Sequence, residues 1–219
     1  MNTDGIININ SEQVPTLDIL FMLTILMLLP SIVVMMTSFV RIIIILSFAR
    51  GAIGTQQSPP NMVLTGMAII LTIFIMAPVL TQINNEAIKP YNDDKITQEE
   101  AIEKAITPLK SFMLRQTEIS TLETFANMAG VDTVEKVEDL SLTVIIPSFL
   151  TQELKRGFTA GLLLYLPFLL IDIIVSATLM SMGMIMLPPA TIAMPFKLLL
   201  FVSVNGWELL FKTIVESFR

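Results

Sequence analysis

Two ionisable residues inside long apolar stretches are the first candidates for chemistry in this sequence. Asp172 lies in the apolar stretch from Phe158 to about Met186, and Lys197 lies in the next one, from Thr191 to Trp207. An unpaired charge in such surroundings is costly, so each side chain is expected to face protein or water and to have a partner. Lys197 is the natural partner of Asp172. Two hypotheses stay open, a buried structural ion pair and an element of a gate.

The residue types that most often carry catalysis or bind metals are missing from the sequence. The chain has no histidine and no cysteine, so it has no imidazole base, no thiolate nucleophile and no disulfide. The carboxylates in apolar sequence are Asp172 and, at one end, Glu208, which do not make a two-aspartate protease site. No HExxH, Walker or GxGxxG motif occurs. We therefore expect a protein that is not an enzyme and that uses no metal or cofactor.

A methionine-rich segment broken by prolines, SMGMIMLPPATIAMPFK, connects the last two apolar stretches. In it, Met184 and Met186 stand near Gly183 and ahead of Pro188 and Pro189, where a regular helix has to stop. Methionine is unbranched and adaptable, and it fills irregular gaps. Several copies of this loop around one axis would form a soft apolar constriction, which would exclude water and ions yet deform around a passing chain.

The elements that must position these residues are predicted to be helices of a membrane protein. Of the 219 residues, 53% are hydrophobic and 15% are charged, and the mean hydropathy is +0.75, too high for an ordinary soluble domain. There are four apolar stretches, 19–40 (continuing past Arg41 to Phe48), 62–83, 158–186 and 191–207. The first three exceed the roughly 20 residues that cross a bilayer. Each stretch contains a proline, which favours bent helices packed against protein: Pro30, Pro78, Pro167 and Pro195.

One polar module separates the second and third apolar stretches. Residues 84–140 carry twelve acidic and six basic residues, which accounts for the whole formal charge of −6. Capping-box patterns beginning at Thr97 and at Ser120 predict two helix starts. Pro108 is expected to interrupt the first of these helices, and Gly130 is expected to end the second. The basic residues are few and scattered, so no nucleic-acid surface is expected.

The fold class predicted from these patterns is all-α, in four parts. They are an N-terminal segment 1–16, a first apolar helical hairpin 17–83, the acidic soluble helical module 84–140, and a second apolar hairpin 141–219 that contains the methionine-rich loop. Arg115 and Glu153 flank the soluble module. They could form an ion pair within one chain or between chains.

Three blocks of the sequence closely resemble the FliP family of flagellar export-gate proteins, which is related to the injectisome export-gate proteins. The blocks are residues 37–79, 108–118 and 182–207, and GTQQ-PPN and MLPPAT-PFK are their most specific motifs. The resemblance implies a helical pore built from several copies, five being the expected number. It also implies assembly with FliQ and FliR and contact with FlhB and FlhA, in the bacterial inner membrane at the flagellar basal body. Unfolded flagellar proteins would pass through the pore.

The resemblance also implies roles for individual residues. The methionine gasket of the family maps onto Met184, Ile185 and Met186, with isoleucine at the central position, so the gasket should be slightly stiffer here. The functional polar residues of the family map onto Arg115, Glu153, Asp172 and Lys197. A cleaved leader is common in flagellar members, but the first ten residues lack the basic start of a secretory signal. Two rival hypotheses stay open, a stand-alone small multi-pass transporter and a purely structural anchor.

Overall fold

The computed structural model describes residues 15–55, 57–131 and 137–218, and these residues form helices joined by turns. The prediction for the N-terminal segment falls mostly outside the described residues. The α-helices in the described part are α1 Pro15–Met35, α2 Phe39–Ile53, α3 Asn61–Ile83, α4 Lys89–Asn92, α5 Gln98–Gln116, α6 Ile119–Met128, α7 Leu142–Ser181, α8 Pro189–Ser203 and α9 Gly206–Glu216. A π-helical turn, Asn84–Ile88, joins α3 to α4, and a 3-10 turn, Val137–Asp139, precedes α7. The all-α prediction is confirmed.

Contacts divide the chain into two units, residues 1–34 and residues 35–219. The described part of the first unit is α1, an apolar helix that continues through Pro30 and exposes large side chains such as Ile19 and Met27. The apolar stretch that continues to Phe48 is therefore not one helix. The break falls at residues 36–38, where the Phe39 amide donates to the Thr37 hydroxyl. Hydroxyl side chains compete in this way with helical hydrogen bonding.

Helix α7 is the spine of the second unit. Its 40 residues correspond to a length of about 60 Å, and the helix continues through Pro147 and Pro167. Helix α2 packs along it at two glycines, Gly157 against Ile44 and Gly161 against Phe48. At residue 161 a side chain would collide with the ring and Cβ of Phe48. The missing side chains let the two helices approach closely.

Buried apolar side chains form three clusters around this helix pair. The first joins α3, α5, α6 and the start of α7, and its largest members include Phe112, Met113 and Phe149. The second joins α2, α3 and α9, and the third joins the end of α2 to Phe168 and Phe201. The helices of the acidic module therefore share a core with the apolar helices.

The helix boundaries in the acidic module test the local predictions. The capping box at Thr97 is confirmed, because its hydroxyl accepts from the Glu100 amide at 3.3 Å and the Glu100 carboxylate accepts from the Thr97 amide at 2.9 Å. The box at Ser120 is wrong, because α6 begins at Ile119 after Glu118, whose carbonyl accepts the first helical hydrogen bonds. The end of α6 ahead of Gly130, whose φ is +70°, is confirmed.

The predicted interruption at Pro108 is wrong. The residue lies inside α5, and its side chain is buried. A proline in a helix interior costs about 3 kcal/mol relative to alanine. Packing of the surrounding apolar face therefore overrides the local preference.

The apolar helices differ in how well they could cross a membrane. In the searched part of the described chain, two helical stretches are long and apolar enough, Asn61–Asn92 and Leu142–Ser181. Helices α8 and α9 would count as a third stretch if taken together, but they meet at a bend of 64°. The sequence predicts four apolar stretches. The second and third of these correspond to the two helical stretches above, and the fourth corresponds to the bent pair α8 and α9.

Replacing Gly161 with alanine should destabilise the protein by about 1–3 kcal/mol, because the new methyl group would collide with Phe48. Gly66→Ala is the matched control, since Gly66 lies inside α3 with no atom within 4 Å of the added Cβ. The control should be neutral or stabilising by up to about 1 kcal/mol, the difference in helix propensity. Thermal unfolding in detergent measures both. Equal melting temperatures for the two variants would contradict the close packing of α2 on α7.

Candidate functional site

The loop between α7 and α8, residues 182–188, carries the residues predicted to form a gasket. Helix α7 ends at this loop in a Schellman motif, in which the Gly183 amide donates to the Met180 carbonyl and the Met184 amide to the Leu179 carbonyl, both at 3.0 Å. The motif requires a left-handed residue after the helix. Gly183 supplies it with a φ of +75°.

The far end of the loop is fixed by the two prolines. Pro188 is the N-cap of α8 and Pro189 is its first residue, a position where the fixed φ of proline suits a helix start and where its missing amide hydrogen costs nothing. The glycine and the prolines therefore lie where α7 ends and α8 begins.

The tip of this loop exposes large apolar side chains. Ile185 is 83% exposed and Met186 is 97% exposed. Met184 is half-buried, and Met182 is exposed. The three residues of the predicted gasket thus have unequal surroundings. Ile185 and Met186 are free to contact other molecules, whereas part of Met184 already packs within the chain.

Asp172 and Lys197 form an ion pair that joins α7 to α8. Lys197 Nζ lies 2.6 Å from Asp172 Oδ2. Lys197 is buried, while the Asp172 side chain is about a third exposed. The second carboxylate oxygen, Asp172 Oδ1, is buried and accepts no hydrogen bond from the described residues. The pair connects the helix that enters the loop to the helix that leaves it.

Glu153 is completely buried, and its partner is Arg41. The guanidinium and the carboxylate make a two-pronged contact, Arg41 Nε to Glu153 Oε2 at 3.0 Å and Arg41 Nη2 to Glu153 Oε1. Bidentate pairs of this kind combine charge with fixed geometry. Arg41 itself is only 2% exposed. The pair therefore joins α2 to α7 in the interior.

Arg41 makes four further contacts, one of which is a hydrogen bond from its Nη1 to Ser217 Oγ at 3.2 Å. Its Nη1 donates to the Ser217 carbonyl at 3.1 Å, its Nη2 donates to Gln116 Oε1 at 3.1 Å, and its guanidinium carbon lies 3.7 Å from the ring centroid of Phe218. Gln116 Nε2 in turn donates to the Phe218 carbonyl at 3.1 Å. These five residues, Arg41, Gln116, Glu153, Ser217 and Phe218, are called the Arg41 network below. The network ties together α2, α5, α7 and the segment after α9.

Arg115 does not pair with Glu153 within the chain. Its Nη1 donates to Ser111 Oγ at 3.0 Å on the exposed side of α5. Arg41 has no predicted role from the sequence, although it interrupts an apolar stretch as Asp172 does. The rule that an ionisable residue in apolar sequence needs a partner applies equally to Arg41. Applied consistently, that rule would have identified Arg41 as a candidate.

A second polar cluster lies beside the Arg41 network. Glu118 accepts hydrogen bonds from Lys155 Nζ at 3.0 Å and from Gln152 Nε2 at 2.8 Å. These two hydrogen bonds, the one from Lys155 first, hold the pKa of the Glu118 carboxyl below its usual value. Arg156 Nη1 donates to Gln116 Oε1 at 3.0 Å, which links the cluster to the network.

The described part of the chain contains no candidate metal site. No group of three or more acidic side chains there is arranged to hold a metal ion. The site is thus made of an exposed apolar loop, a braced pair of helices and a buried polar network.

Comparison with known proteins gives one consistent family. A sequence model described as the FliP family matches residues 22–214. The chain is 46% identical over 217 residues to the flagellar biosynthetic protein FliP of Bacillus subtilis strain 168, covering 97% of this chain and 98% of that protein. It is 46% identical over 211 residues to FliP of Pectobacterium carotovorum, covering 95% and 82%. It is 45% identical over 208 residues to FliP of Aquifex aeolicus, covering 94% and 87%.

Removing either partner of the buried pair should strongly destabilise the fold. Arg41→Met or Glu153→Leu leaves a buried charge without its counter-charge, at a cost of about 3–5 kcal/mol. The double variant should cost less than the sum of the two single variants, because neither charge is then left alone. Lys95→Met is the control, because its pair with Asp93 is exposed and should contribute no more than about 1 kcal/mol. Thermal unfolding in detergent measures all four. Single variants as stable as Lys95→Met would contradict the structural role of the network.

The stability that the ion pair between Asp172 and Lys197 contributes should depend on the charge at position 172. Asp172→Ala leaves the buried Lys197 ammonium unpaired. We expect the free energy of unfolding to fall by about 1–3 kcal/mol, after allowance for the partial exposure of Asp172. Asp172→Glu keeps the charge and should cost less. Thermal unfolding in detergent measures the change in stability, and motility of cells that carry each variant measures its effect on function. Equal losses for the two variants would show that the charge at this position is irrelevant.

Proposed function

This chain belongs to the FliP family, and from that premise we propose that it is a pore-forming subunit of the flagellar protein export gate. Several copies, five being the expected number, would surround a channel through which unfolded flagellar proteins pass. The assembly would include FliQ and FliR and would contact FlhB and FlhA. It would lie in the bacterial inner membrane within the flagellar basal body. The membership itself makes the chain a component of the flagellar export apparatus.

The observation that carries the proposal is the exposure of the loop tip. Ile185 and Met186 are almost fully exposed although both are large and apolar. Adjacent apolar side chains that stay exposed in a folded chain indicate a contact with another molecule. When several copies surround one axis, these side chains would meet one another at the centre and expel water. An apolar constriction of this kind closes a pore to ions.

The loop combines a fixed backbone with adaptable side chains. Its two ends are fixed by the Schellman motif at Gly183 and by Pro188 and Pro189. The ion pair between Asp172 and Lys197 joins the helices on both sides of it. Opening for a polypeptide would then need rotation of side chains such as Met186 and little movement of helices. Methionine suits this task because its three side-chain torsions rearrange easily.

The geometry of the ion pair favours this function over a small transporter. A transporter site would need a charge that is available to its substrate or ion. Asp172 and Lys197 neutralise each other at 2.6 Å. A bracing role for the pair agrees with that contact.

Shortening the loop side chains should open the closed pore to ions. We expect Met184→Ala combined with Met186→Ala to raise ion leakage of the membrane several-fold while the complex still assembles, because the constriction would be wider and less apolar. Met62→Ala is the matched control, since Met62 is similarly exposed but lies on α3. Conductance of membranes that contain the assembled complex is the measurement. An unchanged conductance in a complex that still exports protein would contradict the gasket.

A detergent extract of the same membranes tests the assembly itself. Native mass spectrometry of the detergent-extracted protein should show a multimer or a mixed complex with other export proteins. A monomer that binds a small ligand would instead favour the transporter.

A further inference from the structure

A large groove lies between α7 and α9 in the second unit. Its volume is about 1010 Å³, near the upper end of the range for sites that bind small organic ligands. Residues Leu163, Leu164 and Phe168 of α7 line one side, and Leu209, Leu210 and Ile214 of α9 line the other. Neither the loop proposed as a gasket nor the Asp172–Lys197 pair lines the groove.

The two ends of the groove differ in polarity. The lining of α7 runs from Gln152 to Phe168, and that of α9 and its C-cap runs in the opposite sense from Ser217 back to Gly206. Arg41 contacts both Glu153 of α7 and Ser217, and Phe201 contacts both Phe168 of α7 and Gly206, so these contacts fix which ends coincide. The groove is therefore polar at one end and apolar over the remainder. Five residues of α9 line it, spread along a helix of eleven residues that is about 17 Å long.

Among the residues that the structure describes, the polar end carries one cation that forms no salt bridge. Arg41 is paired with Glu153, and Lys155 is paired with Glu118. Arg156 lines the groove and is half-buried, and its hydrogen bond within the described part of the chain goes to the neutral oxygen of Gln116. Three cations thus face two carboxylates at this end. The described part of this end therefore has one positive charge in excess, and Arg156 is the cation that forms no salt bridge there.

We propose that this groove binds an anionic phospholipid, with the phosphate at Arg156 and Lys155 and the acyl chains along α7 and α9. A guanidinium presents paired donors that match the oxygens of a phosphate, and basic pockets between membrane helices bind anionic headgroups. An uncharged apolar helix would leave Arg156 without an anion, and a free phosphate would leave the apolar walls uncovered. A phospholipid, which has an anionic headgroup and apolar acyl chains, satisfies both ends of the groove.

Lipid retention by the purified full-length complex tests the proposal. The complex is stripped of lipid in detergent and titrated with nanodiscs of phosphatidylglycerol or of phosphatidylcholine, and bound lipid is counted by native mass spectrometry. Phosphatidylglycerol should be retained about tenfold more strongly, the difference expected for one charge-assisted phosphate contact. Inorganic phosphate at millimolar concentration should not displace it. Equal retention of the two lipids, or displacement by phosphate alone, would overturn the proposal.

Two of the following three variants should lower this retention, and the third should raise it. Arg156→Gln should lower the preference for phosphatidylglycerol about tenfold, because the unpaired cation is removed. Leu163→Trp should also lower retention, since it fills the groove without changing charge. Glu118→Gln should raise retention, because it removes the carboxylate that pairs with Lys155. Lys104→Gln, on the exposed face of α5, is the control and should change nothing. An Arg156→Gln complex that retains lipid like the unaltered one would contradict the site.

A photocrosslinker distinguishes lipid from protein in the groove. Placed at Thr159, which lines the groove, it should label phosphatidylglycerol in the assembled complex. Capture of a second copy of this chain or of another export protein at that position would show that protein fills the groove, and the lipid site would be wrong.

Discussion

A full positive charge in the apolar interior is the constraint on which the rest of the structure depends. The guanidinium of Arg41 is shielded from water, so its hydrogens and its charge must be satisfied by protein. Glu153, Gln116, the Ser217 carbonyl and the Phe218 ring satisfy them, from α7, α5 and the segment after α9. These elements must therefore meet at one point. Apolar packing alone, which has little directional preference, would not fix their meeting point so closely.

The positions of the polar contacts explain why the helices are fixed while the side chains at the tip of the loop between α7 and α8 stay adaptable. The Arg41 network fixes the first third of α7, and the Asp172–Lys197 pair fixes its last third to α8. Between these helices the loop is short and conformationally restricted by Gly183 and two prolines. The freedom that remains is in the side chains of Ile185 and Met186, which have few neighbours within the chain. A gate that opens at its side chains and closes again without rebuilding helices would need fixed helices and adaptable side chains of this kind.

Rules that consider only neighbouring residues predict the helix boundaries that local interactions determine. The capping box at Thr97 and the end of α6 ahead of Gly130 depend on a few neighbouring residues, and both were read from the sequence. Pro108 departs from its local preference because it is buried in the packed face of α5, and the N-cap of α6 lies two residues ahead of the predicted box at Ser120. The partner of Arg41 lies 112 positions away, and no periodicity encodes such a distance. The sequence could show that the charge needs a partner but not that Glu153 provides it.

The central claim is that the loops of several copies meet at the axis of a pore, and a density map of the purified assembly tests it most directly. The account predicts a closed central channel whose narrowest ring is formed by residues 184–186 of every copy, in contact with one another. A map in which these residues face lipid on the outside of the assembly, far from any channel, would contradict the account.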